Sequence, residues 1–288
     1  MNQHTNELHS VRQQRGTAVV SLGLLRAKLE LIALLRSKDA VIFTLALPVM
    51  LLLLFGAIFS DTLDGTDVTV GQWFTPGIIA ASVLSAGFVN LATSMAMERH
   101  DGTLRRLALT PLPAASYLLG KVLMTFALAV GMTVVLLTVG VAAFDVAFPS
   151  SRSDLATFGW VFLLGVAAAA VFGIALSSLP HSGKSAAVVF TPPFLFLQFI
   201  SGVFIEFNSI PPWLRAFAGF FPLRWLAAGM RSVFLPDQFE AAAEPGGSYE
   251  LATGAGVLGL WVIVGFALAV RAFHFGRERP NSRSVRHA

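Results

Sequence analysis

Glu98-Arg99-His100-Asp101 brings four ionisable side chains together in a chain of 288 residues of which only 12% are charged and 55% hydrophobic. Groups of these types support acid–base catalysis, metal binding or ion pairing, so their surroundings decide which chemistry to expect. No His-Glu-x-x-His run is present, and the six histidines show no metal-ligand spacing. A Gly-x-Ser-x-Gly nucleophile elbow is also missing. Cysteine is absent, which removes thiol catalysis, thiolate metal sites and disulfides together. Gly183-Lys184-Ser185 resembles the end of a phosphate-binding loop, but the glycine that motif needs five residues earlier is Ser178. The expectation is therefore no catalytic residue, no metal and no cofactor on this chain.

The elements that carry these residues are apolar stretches long enough to cross a bilayer, whose hydrocarbon core needs about 20 residues per helix. Six are predicted, at 41–59, 76–97, 119–144, 157–179, 186–207 and 251–273. The chain opens on a polar stretch with no cleavable signal pattern. Between the spans the basic residues are unevenly shared. Arg12, Arg15, Arg26, Lys28, Arg36, Lys38, Arg99, Arg105, Arg106, Lys121, Lys184, Arg271, Arg277, Arg279, Arg283 and Arg286 fall on one side, leaving only Arg152, Arg215, Arg224 and Arg231 for the other. The first loop on that other side carries Asp61, Asp64 and Asp67. Such asymmetry places the basic side in the cytoplasm, with both termini there, and an even number of spans satisfies it. The high pI follows from this topology rather than from nucleic-acid binding.

The predicted fold class is thus an all-α membrane protein with six transmembrane helices, cytoplasmic termini, an interfacial helix and an outer re-entrant segment. Residues 1–40 form the cytoplasmic tail and interfacial helix, 41–273 the transmembrane domain and 274–288 a basic tail. In 17–37, Leu22, Leu25, Leu29 and Ile32 share one helical face, the pattern of a helix lying in the membrane interface. Residues 209–236 are semi-apolar and broken by Pro211, Pro212, Pro222 and Pro236, which suits two short helices dipping into the outer leaflet. Small residues recur four apart at Gly165, Ala169, Gly173 and Ser177, at Ala127 and Gly131, and at Gly265 and Ala269, as close helix packing in lipid requires. Ser82, Ala86, Asn90 and Ser94 form a more polar stripe, read chiefly as packing with a pathway lining as the alternative.

Ion-driven carriers place ionisable groups at membrane depth. Here Glu206, near the outer end of the fifth span, and His274, beyond the sixth, are the nearest candidates, so energy for any transport must come from elsewhere. Asn90, Gln198, Phe199 and Glu206 are the candidate pathway or gate residues. Phe190, Phe194, Phe196, Phe199, Phe204, Phe207 and Trp213 suit an apolar or aromatic cargo, or simply anchor helices at an interface.

The connection 98–121 is the most specific stretch. It turns at Asp101-Gly102, predicts a short helix over 103–109 and stops before Thr110-Pro111, since proline disfavours helical geometry in its predecessor. A compact turn of this kind would present Leu104 and Leu107 to a partner. Its run E-R-x-x-G-T-L-x-x-L-x-x-T-P, followed by Tyr117-Leu118-Leu119-Gly120-Lys121, resembles the ABC-2-type family of ATP-binding-cassette permeases. Within that family it is most similar to drug-export permeases of the daunorubicin-exporter kind. Ser201-Gly202, Ile210-Pro211-Pro212-Trp213-Leu214, Phe221-Pro222-Leu223 and Arg231 extend the resemblance. It implies a permease subunit of an exporter for an amphiphilic or hydrophobic substrate (drug, lipid or glycolipid) in the plasma membrane. ATP and Mg would bind a separate ATPase subunit, and the permease would pair with a second copy or a homologue amid membrane lipid. Glu98, Arg99, Gly102, Thr103, Leu104, Arg105, Leu107, Thr110 and Pro111 would then form the coupling contact. An ion-gradient-driven secondary transporter and a membrane-embedded lipid-modifying enzyme are the alternatives.

Overall fold

A computed structural model describes residues 2–59, 62–63, 67–110, 113–180, 182–183, 185–236, 239, 244 and 247–275, with side chains from 19 onward except those of 40, 105, 108 and 272–275. Asp61, Asp64, Pro111, Lys184, the side chains of Arg12, Arg15, Arg105 and His274, and the tail beyond 275 lie outside the described residues. Among the described residues the structure is helical, with one isolated antiparallel bridge between Thr62 and Thr69.

The chain begins with α1 (Asn2–Arg36) and α2 (Lys38–Ile58). A long composite helix comes next: α3 (Val70–Ser85), a π-helical turn (Ala86–Leu91) and α4 (Ala92–His100). A short α5 (Thr103–Ala108) forms the hairpin to α6 (Ala114–Phe144), which leads to α7 (Arg152–Leu176). The chain continues through α8 (Ala186–Ile200), α9 (Pro212–Ala218), α10 (Pro222–Phe234) and α11 (Leu251–Phe275). Local chemistry sets several of these starts. Thr69 and Gln72 form a reciprocal capping box on α3, and Ser151 accepts from the Asp154 N–H at 3.0 Å to open α7. Pro212 and Pro222 occupy first-turn positions of α9 and α10, where a missing N–H costs nothing.

Among the described residues, five helices are long and apolar enough to cross a membrane, at Val41–Ile58, Val70–His100, Ala114–Phe144, Arg152–Leu176 and Leu251–Arg271. The fifth predicted span, 186–207, is shorter than expected: α8 has 15 residues and ends at Ile200. At 1.5 Å per residue that is about 22 Å, less than a hydrocarbon core. The apolar run continues to Phe207, but Gly202 takes a left-handed φ of 79° and stops the helix. On α1, Leu25 and Leu29 are more than half exposed, whereas Gly23 and Arg26 turn toward α6.

The core is assembled around α3, which is buried along most of its length against α6, α7 and α10. Glycine permits the closest approach. A Cβ on Gly87 would stand 2.2 Å from the Ala169 backbone, and one on Gly173 would stand 2.1 Å from the Gly87 carbonyl oxygen. The π turn accepts the N–H of Ala92 at that same carbonyl, so its widened ring pushes the oxygen toward α7 where only glycine leaves room. The small-residue stripe of α7 is therefore packing, as is Gly265 against Val171, whereas Gly131 faces open space. Outward faces remain apolar, with Phe43 of α2 80% exposed and Ile263 of α11 69% exposed, as lipid-facing surfaces require.

Gly87→Ala is expected to lower stability by about 1–3 kcal/mol through overpacking, and Gly131→Ala to leave it unchanged. Thermal unfolding of both purified variants in the same detergent checks this.

Candidate functional site: an ion-pair knot beneath a short hairpin

Asn90, Ser94 and Glu98 lie four residues apart and share one face of the composite helix, so its polar groups point together toward α1 and α6. Lys121 comes from the first turns of α6 and is 1% exposed. An ammonium buried this far must be paired, and it is. Its Nζ lies 2.5 Å from Glu98 Oε1 and 3.0 Å from Glu30 Oε2, and donates to Ser94 Oγ at 3.2 Å. Arg26, one turn before Glu30 on α1, contacts Glu30 Oε1 at 3.1 Å and approaches Glu98 Oε2 to 3.6 Å. Tyr117 donates its hydroxyl to Glu98 Oε2 at 2.8 Å, and the Arg26 guanidinium sits 4.4 Å over its ring.

Two carboxylates and two cations make this knot neutral, and each carboxylate contacts both cations. It ties α1 to α4 and α6, the two helices that the hairpin joins. Gly120 lets Arg26 descend onto α6, since a Cβ there would meet the arginine stem at 3.1 Å. Beside the knot is a cavity of about 350 Å³ whose wall includes Glu30, Asn90, Glu98, Lys121, Met124 and Leu128.

The hairpin below is rigidly built. Gly102 takes φ 73° at the start of α5. Arg106 closes the turn through the Asp101 carbonyl at 3.4 Å and Thr103 Oγ1 at 3.2 Å, and Thr110 Oγ1 donates to the Leu107 carbonyl at 2.7 Å. His100 Nε2 lies 3.1 Å from the Pro180 carbonyl, joining the hairpin to the α7–α8 turn. Leu104 and Leu107 do not face outward as predicted. They pack against the cluster containing Tyr117, Met95 and Ile174. Among the described residues of the hairpin, Leu109 is the exposed apolar side chain, at 89%.

The other predicted residues are dispersed. Glu98 serves the internal knot, and Arg99 is half-buried with Nε and one Nη unpaired. Asn90 lines the cavity and donates its amide to the Ser85 carbonyl at 3.3 Å. Gln198 is buried in α8, Phe199 is half exposed with its ring 5.3 Å from Phe204, and Glu206 precedes a short 3₁₀ turn. These last three belong to α8 and its exit, and none lines the cavity with Asn90. Among the described residues no group of three His, Asp or Glu could hold a metal ion.

Sequence reasoning missed Arg26, Glu30, Tyr117 and Lys121 as a unit. The Arg26/Glu30 spacing of four was the local signal. At the other end of the bundle, α10 hides two more cations. Arg224 pairs with Glu244 and stacks 3.8 Å over Phe207, while Arg231 donates to the Gly202 carbonyl and lies 4.6 Å over Trp73. Burial lowers the Arg231 guanidinium to about 10, so it stays charged at neutral pH. It thus holds the carbonyl end of α8 where a helix favours positive charge.

The sequence profile of the ABC-2 type transporter family matches residues 25–235, which takes in the knot, the hairpin and α10. The chain belongs to the ABC-2 type transporter family. Its relatives include the probable multidrug ABC transporter permease YbhR of Escherichia coli K12, 26% identical over 170 residues, which are 58% of this chain and 45% of YbhR. The inner membrane transport permease YadH of the same strain is 25% identical over 202 residues, 67% of this chain and 75% of YadH. The probable multidrug permease YbhS is 27% identical over 182 residues, 59% of this chain and 47% of YbhS. The chain therefore spans a little under half the length of YbhR and YbhS. As an ABC-2 permease it is a multi-pass membrane protein.

Lys121→Met leaves two half-buried carboxylates with Arg26 as their remaining cation and is expected to destabilise the protein by about 1–3 kcal/mol. Adding Glu98→Gln should cost less than the sum of the two single changes. A double-mutant cycle of detergent-denaturation midpoints measures both.

Proposed function

We propose that this chain is the membrane half of an ATP-driven exporter that moves an amphiphilic or hydrophobic substrate out of the cytoplasm or the inner leaflet. Nucleotide and Mg bind a separate ATPase subunit, and two permeases, identical or related, enclose the path. The family membership supports this reading, as does the excess of basic residues on the hairpin side, which puts that side in the cytoplasm of a plasma membrane. The bacterial inner membrane suits the relative YadH, whose name places it there. In this topology α8 and the non-helical run to Phe207 complete a sixth crossing, both termini are cytoplasmic, and α9 and α10 form an outer re-entrant pair.

The observation that carries the proposal is the hairpin itself: Leu109 stands 89% exposed at its end while Leu104 and Leu107 clamp α5 to the bundle. An ATPase docked on Asp101, Arg106, Leu109 and Thr110 would push on a rigid lever. Through Glu98 and Tyr117 that push reaches α1, α4 and α6 together, so the helices move as a body instead of the hairpin bending alone. No ionisable chain through the membrane is needed, because the energy enters from below.

Leu109→Glu should leave folding intact, since the side chain is exposed, and should weaken co-purification with the cognate ATPase about tenfold or more. ATP-dependent export should fall with it. Undiminished co-purification and export would refute the docking surface, and ATP hydrolysis by the purified permease alone would refute the division of labour.

A further inference from the structure

Among the described residues, only the composite helix changes its backbone ladder part-way along. Above the π turn, α3 is enclosed by α6, α7 and α10, and Gly77 leaves room there for the Arg231 guanidinium. Below it, α4 carries Ser94 and Glu98 to the knot and Met95 to the cluster that seats the hairpin. One end is thus fixed in the core, while the other belongs to the part on which the hairpin pushes. The neighbouring α6 also reaches both, but it is helical without a break from Ala114 to Phe144 and can only tilt as a rod.

We propose that the π turn is the joint of this helix, where α4 moves against α3, and that Asn90 is the positioning residue that holds it closed. A π turn carries one residue more than an α turn, so its bonds reach back five positions instead of four. Ala92 reaches the Gly87 carbonyl in this way. The Asn90 side chain adds a link of the same span, its amide donating to the Ser85 carbonyl at 3.3 Å. Such bonds can be exchanged for the shorter kind one at a time, so the turn yields without stranding a buried donor. Gly87 and Gly173 put bare backbone at the contact with α7, where no long side chains have to disengage. Motion here also reaches α7 and α8, because the Phe88 ring stacks 5.3 Å from Phe172 and lies 6.2 Å from Phe190 and Phe194.

The joint rests on the exporter reading for its purpose, since that reading supplies the push, but its compliance belongs to the permease alone. The first test is amide hydrogen exchange, read by mass spectrometry on the purified full chain in phosphatidylcholine nanodiscs. Amides of 87–92 are expected to exchange about tenfold faster than those of 78–84 on the same helix. Asn90→Ala, which removes the side-chain link, should speed them about fivefold more, the effect of one hydrogen bond. Deletion of Val89 returns the ladder to the shorter span with the faces on either side unchanged, and should slow the turn to the rate of 78–84. In complex with the cognate ATPase, that deletion should leave ATP hydrolysis in place and lower export about tenfold, whereas a purely structural turn would leave export untouched. Equal exchange along 78–92 of the unmodified chain would overturn the joint without any variant being needed. Fast exchange confined to the turn in a permease that recruits no ATPase would keep the joint and overturn the exporter. Undiminished ATP-dependent export by the Val89-deleted complex would do the reverse.

Discussion

An ammonium group cannot stay charged inside an apolar bundle unless carboxylates are brought to it, and Lys121 is almost wholly enclosed. Its two partners come from different helices, Glu30 on α1 and Glu98 on α4, with Arg26 and Tyr117 satisfying the remaining oxygens. In low dielectric each attraction is strong, but so is the desolvation that offsets it. Such a cluster is therefore a poor source of net stability. It is an effective constraint, because separating any one helix from the other two strands a charge. The hairpin of α5 is built on that constraint, with Leu104 and Leu107 seated against Tyr117 and its neighbours.

A steric condition works alongside the electrostatic one. Gly87 and Gly173 bring the backbones of the π turn and α7 into contact, closer than any side chain would allow. From the π turn onward, Asn90, Ser94 and Glu98 look toward α1 and α6. The cavity and the knot are thus two products of one helix, one above the other.

The energy input proposed from outside the membrane would also account for the disposition of charge. Among the described residues, buried ionic groups gather at the two ends of the bundle, the Lys121 knot at one and Arg224, Arg231 and Glu244 at the other. Arg231 holds the broken end of α8 against Trp73, so that the non-helical run after Ile200 stays packed inside protein. Irregular backbone is tolerated in such surroundings only where protein shields it from lipid.

Much of the architecture was legible before any coordinates. Apolar length and basic asymmetry are local or additive properties of a chain, so the five long helices overlap their predicted spans, with starts up to six residues earlier, and the motif at 98–111 identified the family. The length of α8 was not legible, because hydropathy runs on unbroken through Ser201-Gly202-Val203 while one glycine's left-handed φ ends the helix. Nor were the inward turn of Leu104 and Leu107, the exposure of Leu109, or the union of Arg26, Glu30, Glu98 and Lys121. Each depends on which helix lies opposite, and a run of residues encodes its own faces but not its neighbours. Sequence alone thus determined that the chain is a bundle of membrane helices with a short hairpin of the ABC-2 pattern. Only the tertiary structure decided that the hairpin stands on a buried lysine, since burying a charge is a decision made jointly by distant segments.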